Sequence, residues 1–303
     1  MKATHEERMA RARCSLEGLS VGDALGDRFF LPYEEVERLV EERELPLTPW
    51  RYSDDTQMAL SIYSNLLQHG EIIQDALAES FAAYYDPGRG YGPSMHRQLH
   101  SIRNGKPWQE AATSQFEGQG SYGNGAAMRV APLGAYFADA LDSVVEQARL
   151  SAEVTHAHLE GIAGAIAVAV GAAWACRLRD TGIMPTCADF LNQILPLVPK
   201  SEVSMKLRWA RDFSPNTPAV TVADMLGNGS HISAQDTVPF ALWCAGTYLD
   251  SYEEAIWQTL AVFGDIDTNC AIVGGIVALY CGAESIPPAW LASREPLPTW
   301  ARE

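Results

Sequence analysis

No two of the six cysteines (Cys14, Cys176, Cys187, Cys244, Cys270 and Cys281) form a CxxC pair, and their scatter argues against zinc-ribbon and redox-motif spacings. Free buried thiols are expected. Basic residues are scarce: 22 Lys and Arg against 38 Asp and Glu leave a net charge of −16, which argues against long-range attraction to nucleic acid or anionic lipid. That excess leaves carboxylates available for hard cations. The first residues, MKATHEERMARARC, mix both signs of charge and lack the apolar run of a secretory leader, so a cytoplasmic location is expected. The longest apolar run, GIAGAIAVAVGAAWAC at 161–176, has 16 residues, short of the roughly 20 that span a bilayer. A buried helix packed through its small residues is expected there. Sustained alternation of apolar and polar residues is also missing, so nothing demands a sheet.

What is present is helical periodicity. Segments 7–21, 56–68, 73–85, 94–103, 143–151, 159–178, 187–194, 236–249, 252–261 and 269–281 each read as a helix, separated by Gly, Pro and Asp/Asn clusters. The expectation is one all-α domain over 1–303 with no long linker. Most of the eight tryptophans fall in or beside these segments, where burial is the ordinary role. Three loops are rich in glycine: DPGRGYGP at 86–93, EGQGSYGNGAAM at 117–128 and LGNGSHI at 226–232. Such loops serve either as plain turns or as backbone cradles for phosphate and ribose.

Two acidic clusters stand out, each at a helix start. In WRYSDDTQMAL, Met58, Ile62 and Leu66, then Ala59, Tyr63 and Leu67, recur at i and i+4 from about Thr56. A Ser or Asp before such a stripe normally caps free N–H groups. The second cluster, GDIDTN at 264–269, precedes the apolar CAIVGGIVALYCG, where Gly274 and Gly275 would admit another helix closely. If the fold opposes the clusters, four carboxylates and their hydroxyl neighbours form a hard-oxygen set suited to Mg²⁺ or Mn²⁺. Four acids so close would repel, and two divalent cations would relieve that. Helix caps and a binuclear site both remain open on spacing alone.

Seven segments taken together resemble the ADP-ribosylglycohydrolase family from about residue 10 to 285. They are GLSVGDALGD (18–27), YSDDTQMAL (52–60), GRGYG (88–92), GSYGNGAAMRVAPLGAY (120–136), VTHAHLEG (154–161), LGNG with VPFAL (226–229, 238–242) and GDIDTNCAIVGGIVA (264–278). The resemblance implies a compact orthogonal helical bundle with two divalent cations, Mg²⁺ or Mn²⁺, in a central cleft. It implies Ser53, Asp54 and Asp55 at one ion, and Asp265, Asp267 and Thr268 at the other, with a shared carboxylate. Ser53 stands where the family usually has Thr, which keeps the oxygen ligand. The loop Gly120, Ser121, Tyr122, Gly123 and Asn124 would wrap the diphosphate and distal ribose, with Gly90 and Gly92 along the same cleft. His156 would contact the phosphates, and Gly229 and Ile232 would fall near the adenosine, although SHISAQDT runs slightly longer than the family segment. His158 is read as a helix start.

The sequence departs from the family at Phe30, where many members carry a lid glutamate four residues after GDALG. Asp27, Glu34 or Glu35 could substitute; the run YEEVERLVEERELP (33–46) reads as a solvated helix or lid. The implied reaction is hydrolysis of the N- or O-glycosidic bond between C1 of ADP-ribose and a protein or small-molecule acceptor. Asp55 would orient or deprotonate a water activated by the ions. A missing acid leans toward arginine, whose guanidine leaves protonated, whereas GSYGNG resembles members acting on O-linked ADP-ribose. The alternatives are a non-catalytic ADP-ribose reader and a hydrolase of a free ADP-ribose derivative. No membrane partner is expected, and nucleic acid only as an ADP-ribosylated substrate.

Overall fold

The computed structural model describes residues 3–301. Its α-helices are α1 (His5–Gly26), α2 (Tyr33–Glu42), α3 (Asp54–His69), α4 (Gln74–Ala83), α5 (Pro93–Arg103), α6 (Trp108–Thr113), α7 (Ala131–Tyr136) and α8 (Leu141–Glu153). There follow α9 (Leu159–Thr181), α10 (Cys187–Ile194), α11 (Glu202–Arg211), α12 (Ala219–Leu226), α13 (Ala234–Thr247), α14 (Tyr252–Leu260), α15 (Ile266–Cys281) and α16 (Pro288–Ser293). Among the described residues there is no β-strand, only two isolated bridges, Trp50 with Arg294 and Gly123 with Ser233. The fold is all-α, and all six cysteines are free thiols.

Every segment expected to be helical is so, and the run at 33–46 contributes α2, which buries Val36 and Leu39 and leaves its acids in solvent. The sequence reading missed α6, α7, α11, α12 and α16. All six residues of α7 are buried, so it has no polar face to reveal a period. In α11 the signal was present: Val203, Leu207 and Ala210 are buried at i, i+4 and i+7 behind a Ser201 capping box. The central helix α9 has 23 residues, longer than its 16-residue apolar run suggested, and is long and apolar enough to cross a membrane by composition. However, 78% of its most apolar window is buried inside the protein, as for a core helix.

One helix pair positions the site. On α1, Gly18, Gly22 and Gly26 recur every fourth residue and so share one face. A Cβ on Gly18 would lie 2.4 Å from the Gly274 carbonyl oxygen, one on Gly22 2.2 Å from that of Cys270, and one on Gly26 2.6 Å from the Asp267 Cα. Only glycine permits this antiparallel approach of α1 to α15, which confirms the close contact expected at Gly274. The crossing sets the C-terminal turn of α1, carrying Asp23, beside the N-terminal turn of α15, carrying Asp267.

Candidate active site

The floor of the site is assembled by the start of α3. Ser53 is its N-cap, and its Oγ accepts from the Asp55 N–H at 3.1 Å. Asp23 adds a second acceptor: its carboxylate accepts from the N–H of Ser53 at 3.0 and 3.1 Å, from the N–H of Thr56 at 3.0 Å and from Thr56 Oγ1 at 2.5 Å. Capping is therefore done mainly by Ser53 and Asp23; the Asp54 carboxylate takes only its own N–H, and Asp55 is free of that duty. Asp55 accepts instead from Ser53 Oγ at 3.0 Å and from Thr268 Oγ1 at 3.2 Å, joining the two acidic clusters. One carboxylate oxygen each of Asp23, Asp55 and Asp267 lies within 4.8 Å of the others.

Burial pushes all of these acids up, and their mutual repulsion adds to it. Asp23 is raised to about 6 mainly by burial, against the lowering effect of its four hydrogen bonds. Asp54 is raised to about 8 by burial and then by the negative charge of Asp23. Asp55 and Asp267 are raised well above the carboxylate range by burial and by neighbouring aspartates, and Asp265 is raised by burial. The buried Arg129 guanidinium eases Asp54 slightly, yet its hydrogen bonds go to the Ser151 carbonyl at 3.0 Å and Thr155 Oγ1 at 2.8 Å. A set of converging hard oxygens, costly to ionise alone, fits divalent cations of the Mg²⁺ type.

Above this floor lies a cleft of about 320 Å³. Asp54, Asp265, Asp267 and Thr268 face it, as do Gly90, Gly92, Ser121, Tyr122, Gly123, Asn124, His156 and Ile232. His156 is buried, and burial first and Arg129 second lower it to about 3, so it is neutral. Its Nδ1 is 2.8 Å from Thr155 Oγ1, which also accepts from Arg129; a Thr155 hydroxyl donating to Nδ1 would leave the hydrogen on Nε2. Nε2 faces Gly123 and Gly125, where a Cβ would come within 3.2 and 3.0 Å of it. At the mouth, the half-exposed rings of Phe116 and Tyr122 stand 5.2 Å apart, centroid to centroid.

The whole chain from residue 4 to 303 matches the ADP-ribosylglycohydrolase family model. The chain belongs to that family. It is 30% identical to human ADP-ribosylhydrolase ARH3, over 95% of this chain and 90% of that one. It is 24% identical to the ADP-ribosylarginine hydrolase Tri1 of Pseudomonas putida, over 95% and 75%. A solved structure titled ADP-ribosylglycohydrolase-related protein complex superposes with a TM-score of 0.63 at 25% identity, covering 98% of this chain and 95% of the other.

Within this ADP-ribosylglycohydrolase fold, the residues singled out in sequence occupy different layers. Ser53 and Asp55 are buried behind Thr268 rather than on the cleft wall. Asn124 faces the cleft, but its amide donates to Asp265 at 2.6 Å and Thr237 at 3.0 Å, so it also holds the acid in place. Gly120 and Gly229 stand one layer back, against His158 and Asp265. His158 is the N-cap of α9, its Nδ1 accepting from the Glu160 N–H. Phe30 is exposed, and neither it nor Asp27, Glu34 or Glu35 lines the cleft. Sequence reasoning missed Asp23, the third carboxylate of the floor, although its segment GLSVGDALGD carried the family signal. It also missed Phe116, and Arg89, which donates to the Tyr52 carbonyl at 2.8 Å and pairs with Glu295. Glu295 accepts from the Tyr52 N–H at 3.0 Å, so the 86–92 loop and the chain's last segment brace the start of α3.

Proposed function

We propose that the protein hydrolyses the N- or O-glycosidic bond between C1 of ADP-ribose and an acceptor. The observation carrying this reading is the meeting of Asp23, Asp55 and Asp267 beneath a cleft walled by the glycine loop and His156. Ser53, Asp54 and Asp55 would hold one divalent cation and Asp265, Asp267 and Thr268 a second, with Asp23 supporting both clusters. Such cations, Mg²⁺ or Mn²⁺, supply positive charge for the ribose hydroxyls and an acidified water.

The chain's own groups do the rest. His156 offers its Nε2–H to the diphosphate without adding a charge. Phe116 and Tyr122 offer aromatic faces to the adenine. Asp55, expected from sequence to orient the water, lies behind Thr268 and would act through the ions it helps hold, while Asp54 on the wall orients the attacking water and accepts its proton. No carboxylate from 27–35 reaches the cleft wall to protonate a leaving group. An arginine acceptor, which departs as a guanidinium-forming base, therefore asks least of this site.

Purified protein incubated with arginine- and serine-linked ADP-ribosyl peptides, in Mg²⁺ or EDTA, tests the reading. ADP-ribose release in Mg²⁺ that disappears in EDTA and in Asp265→Ala is expected, faster from arginine. Metal-dependent binding of ADP-ribose with no release from any substrate would replace hydrolase by reader. Neither binding nor release would overturn the reading.

A further inference from the structure

A second cavity of about 300 Å³ adjoins the cleft and shares Ser94 and Phe116 with it. Three of its residues, Ser94, Arg97 and Ser101, recur along one face of α5 at i, i+3 and i+7. Lys106 enters from the loop after α5, and Gln115 from the segment after α6. No carboxylate is among the lining residues, in a chain whose net charge is −16. Among the described residues, neither Arg97 nor Lys106 has an ion-pair partner. Most of the other arginines at helix surfaces do, as Arg38 with Glu42 and Arg149 with Glu146.

Two unneutralised cations beside hydroxyls, kept clear of acid in an acidic protein, are the chemistry of a phosphoryl site. The cavity borders the cleft at Ser94 and at Phe116, the end assigned above to adenine. A ligand so placed brings the hydroxyls of its adenosine ribose to this side of the cleft. We infer that this cavity is a subsite for a phosphate monoester on the adenosine ribose, so that the protein takes 2′- or 3′-phosphorylated ADP-ribose in preference to ADP-ribose. This inference rests on the proposed ADP-ribose orientation.

Calorimetric titration of the Mg²⁺-loaded protein with ADP-ribose and with its 2′- and 3′-phosphates tests it. One of the phosphorylated ligands is expected to bind about tenfold more tightly than ADP-ribose, the worth of one charge-assisted contact. In Arg97→Gln/Lys106→Gln, both changes lying at exposed positions, that ratio should fall to about one, and 0.5 M salt should reduce it in the wild type. Equal affinities for all three ligands in the wild type, or a preference that survives in the double variant, would overturn the subsite while leaving the ADP-ribose reading intact. Failure of ADP-ribose itself to bind would overturn the parent reading, and the subsite with it.

Discussion

Substituting Asp23→Asn separates a metal floor from a helix cap. Its carboxyl is held at about 6 rather than 3.8, so ionising it in the metal-free protein at pH 7.5 costs on the order of 3 kcal/mol, at 1.36 kcal/mol per unit. The sign follows from the raised value: the cost is absent below 3.8, grows as pH rises, and is complete above about 6. An asparagine oxygen placed at Oδ2 keeps the contacts from Ser53 N–H, Thr56 N–H and Thr56 Oγ1. It gives up the longer Ser53 contact at Oδ1, about 1–2 kcal/mol, the charge assistance being already contained in the value of about 6. In EDTA at pH 7.5 the variant should therefore be about 1 kcal/mol more stable than the wild type, or about 2 °C in Tm. At pH 4.5 the order should reverse. In Mg²⁺ the ranking should also invert, because each tenfold loss of cation affinity removes about 1.4 kcal/mol of stabilisation. Thermal melts at both pH values, with EDTA and with a Mg²⁺ series, measure all of this. A variant that is less stable in EDTA at pH 7.5 yet gains as much from Mg²⁺ as the wild type would show that Asp23 is only a capping acceptor.

Gly22→Ala forces a Cβ to 2.2 Å from the Cys270 carbonyl oxygen, where the three nearest atoms are all backbone. The expected cost is about 3 kcal/mol in urea melts, with a reduced Mg²⁺ response because α1 and α15 separate. His156 should remain neutral with its proton on Nε2 from pH 8 down to pH 5, read from its ¹⁵N shifts. Since the unfolded chain's imidazole takes up a proton near 6.5 and the buried one only near 3, it should lower stability as pH falls through that interval. Phe116→Ala and Tyr122→Ala should each weaken ADP-ribose binding about tenfold, the usual worth of base stacking, and leave Tm nearly unchanged because both rings are half-exposed. Unchanged affinity in both variants would move the adenine elsewhere.

Much of this was legible before any coordinates. The acids of 54–55 and 265–267 announce themselves because they sit at the starts of strongly apolar helices, a local pattern. Gly274 signalled close packing for the same reason. The starts of α3 and α15 were read two and three residues late, since Asp and Thr are poor in helix interiors but favoured in a first turn. Asp23 was not legible from local pattern: it is one acid inside a long helix, and only the family resemblance of GLSVGDALGD pointed to its segment. Phe116 opens a single 3₁₀ turn, Phe116–Gly118, too short to have a period to read.

The sequence by itself determined the all-α class, the helix starts and their acids, and the glycines that allow two backbones to touch, because each depends on residues within a few turns of one another. Only the tertiary structure decided that Asp23, Asp55 and Asp267 share one floor, that Ser53 and Asp23 take over the capping, and that Phe30 stands clear of the cleft. Those outcomes depend on where α1 crosses α15 and how α3 abuts both, and a crossing is set by side-chain volumes from segments more than 200 residues apart.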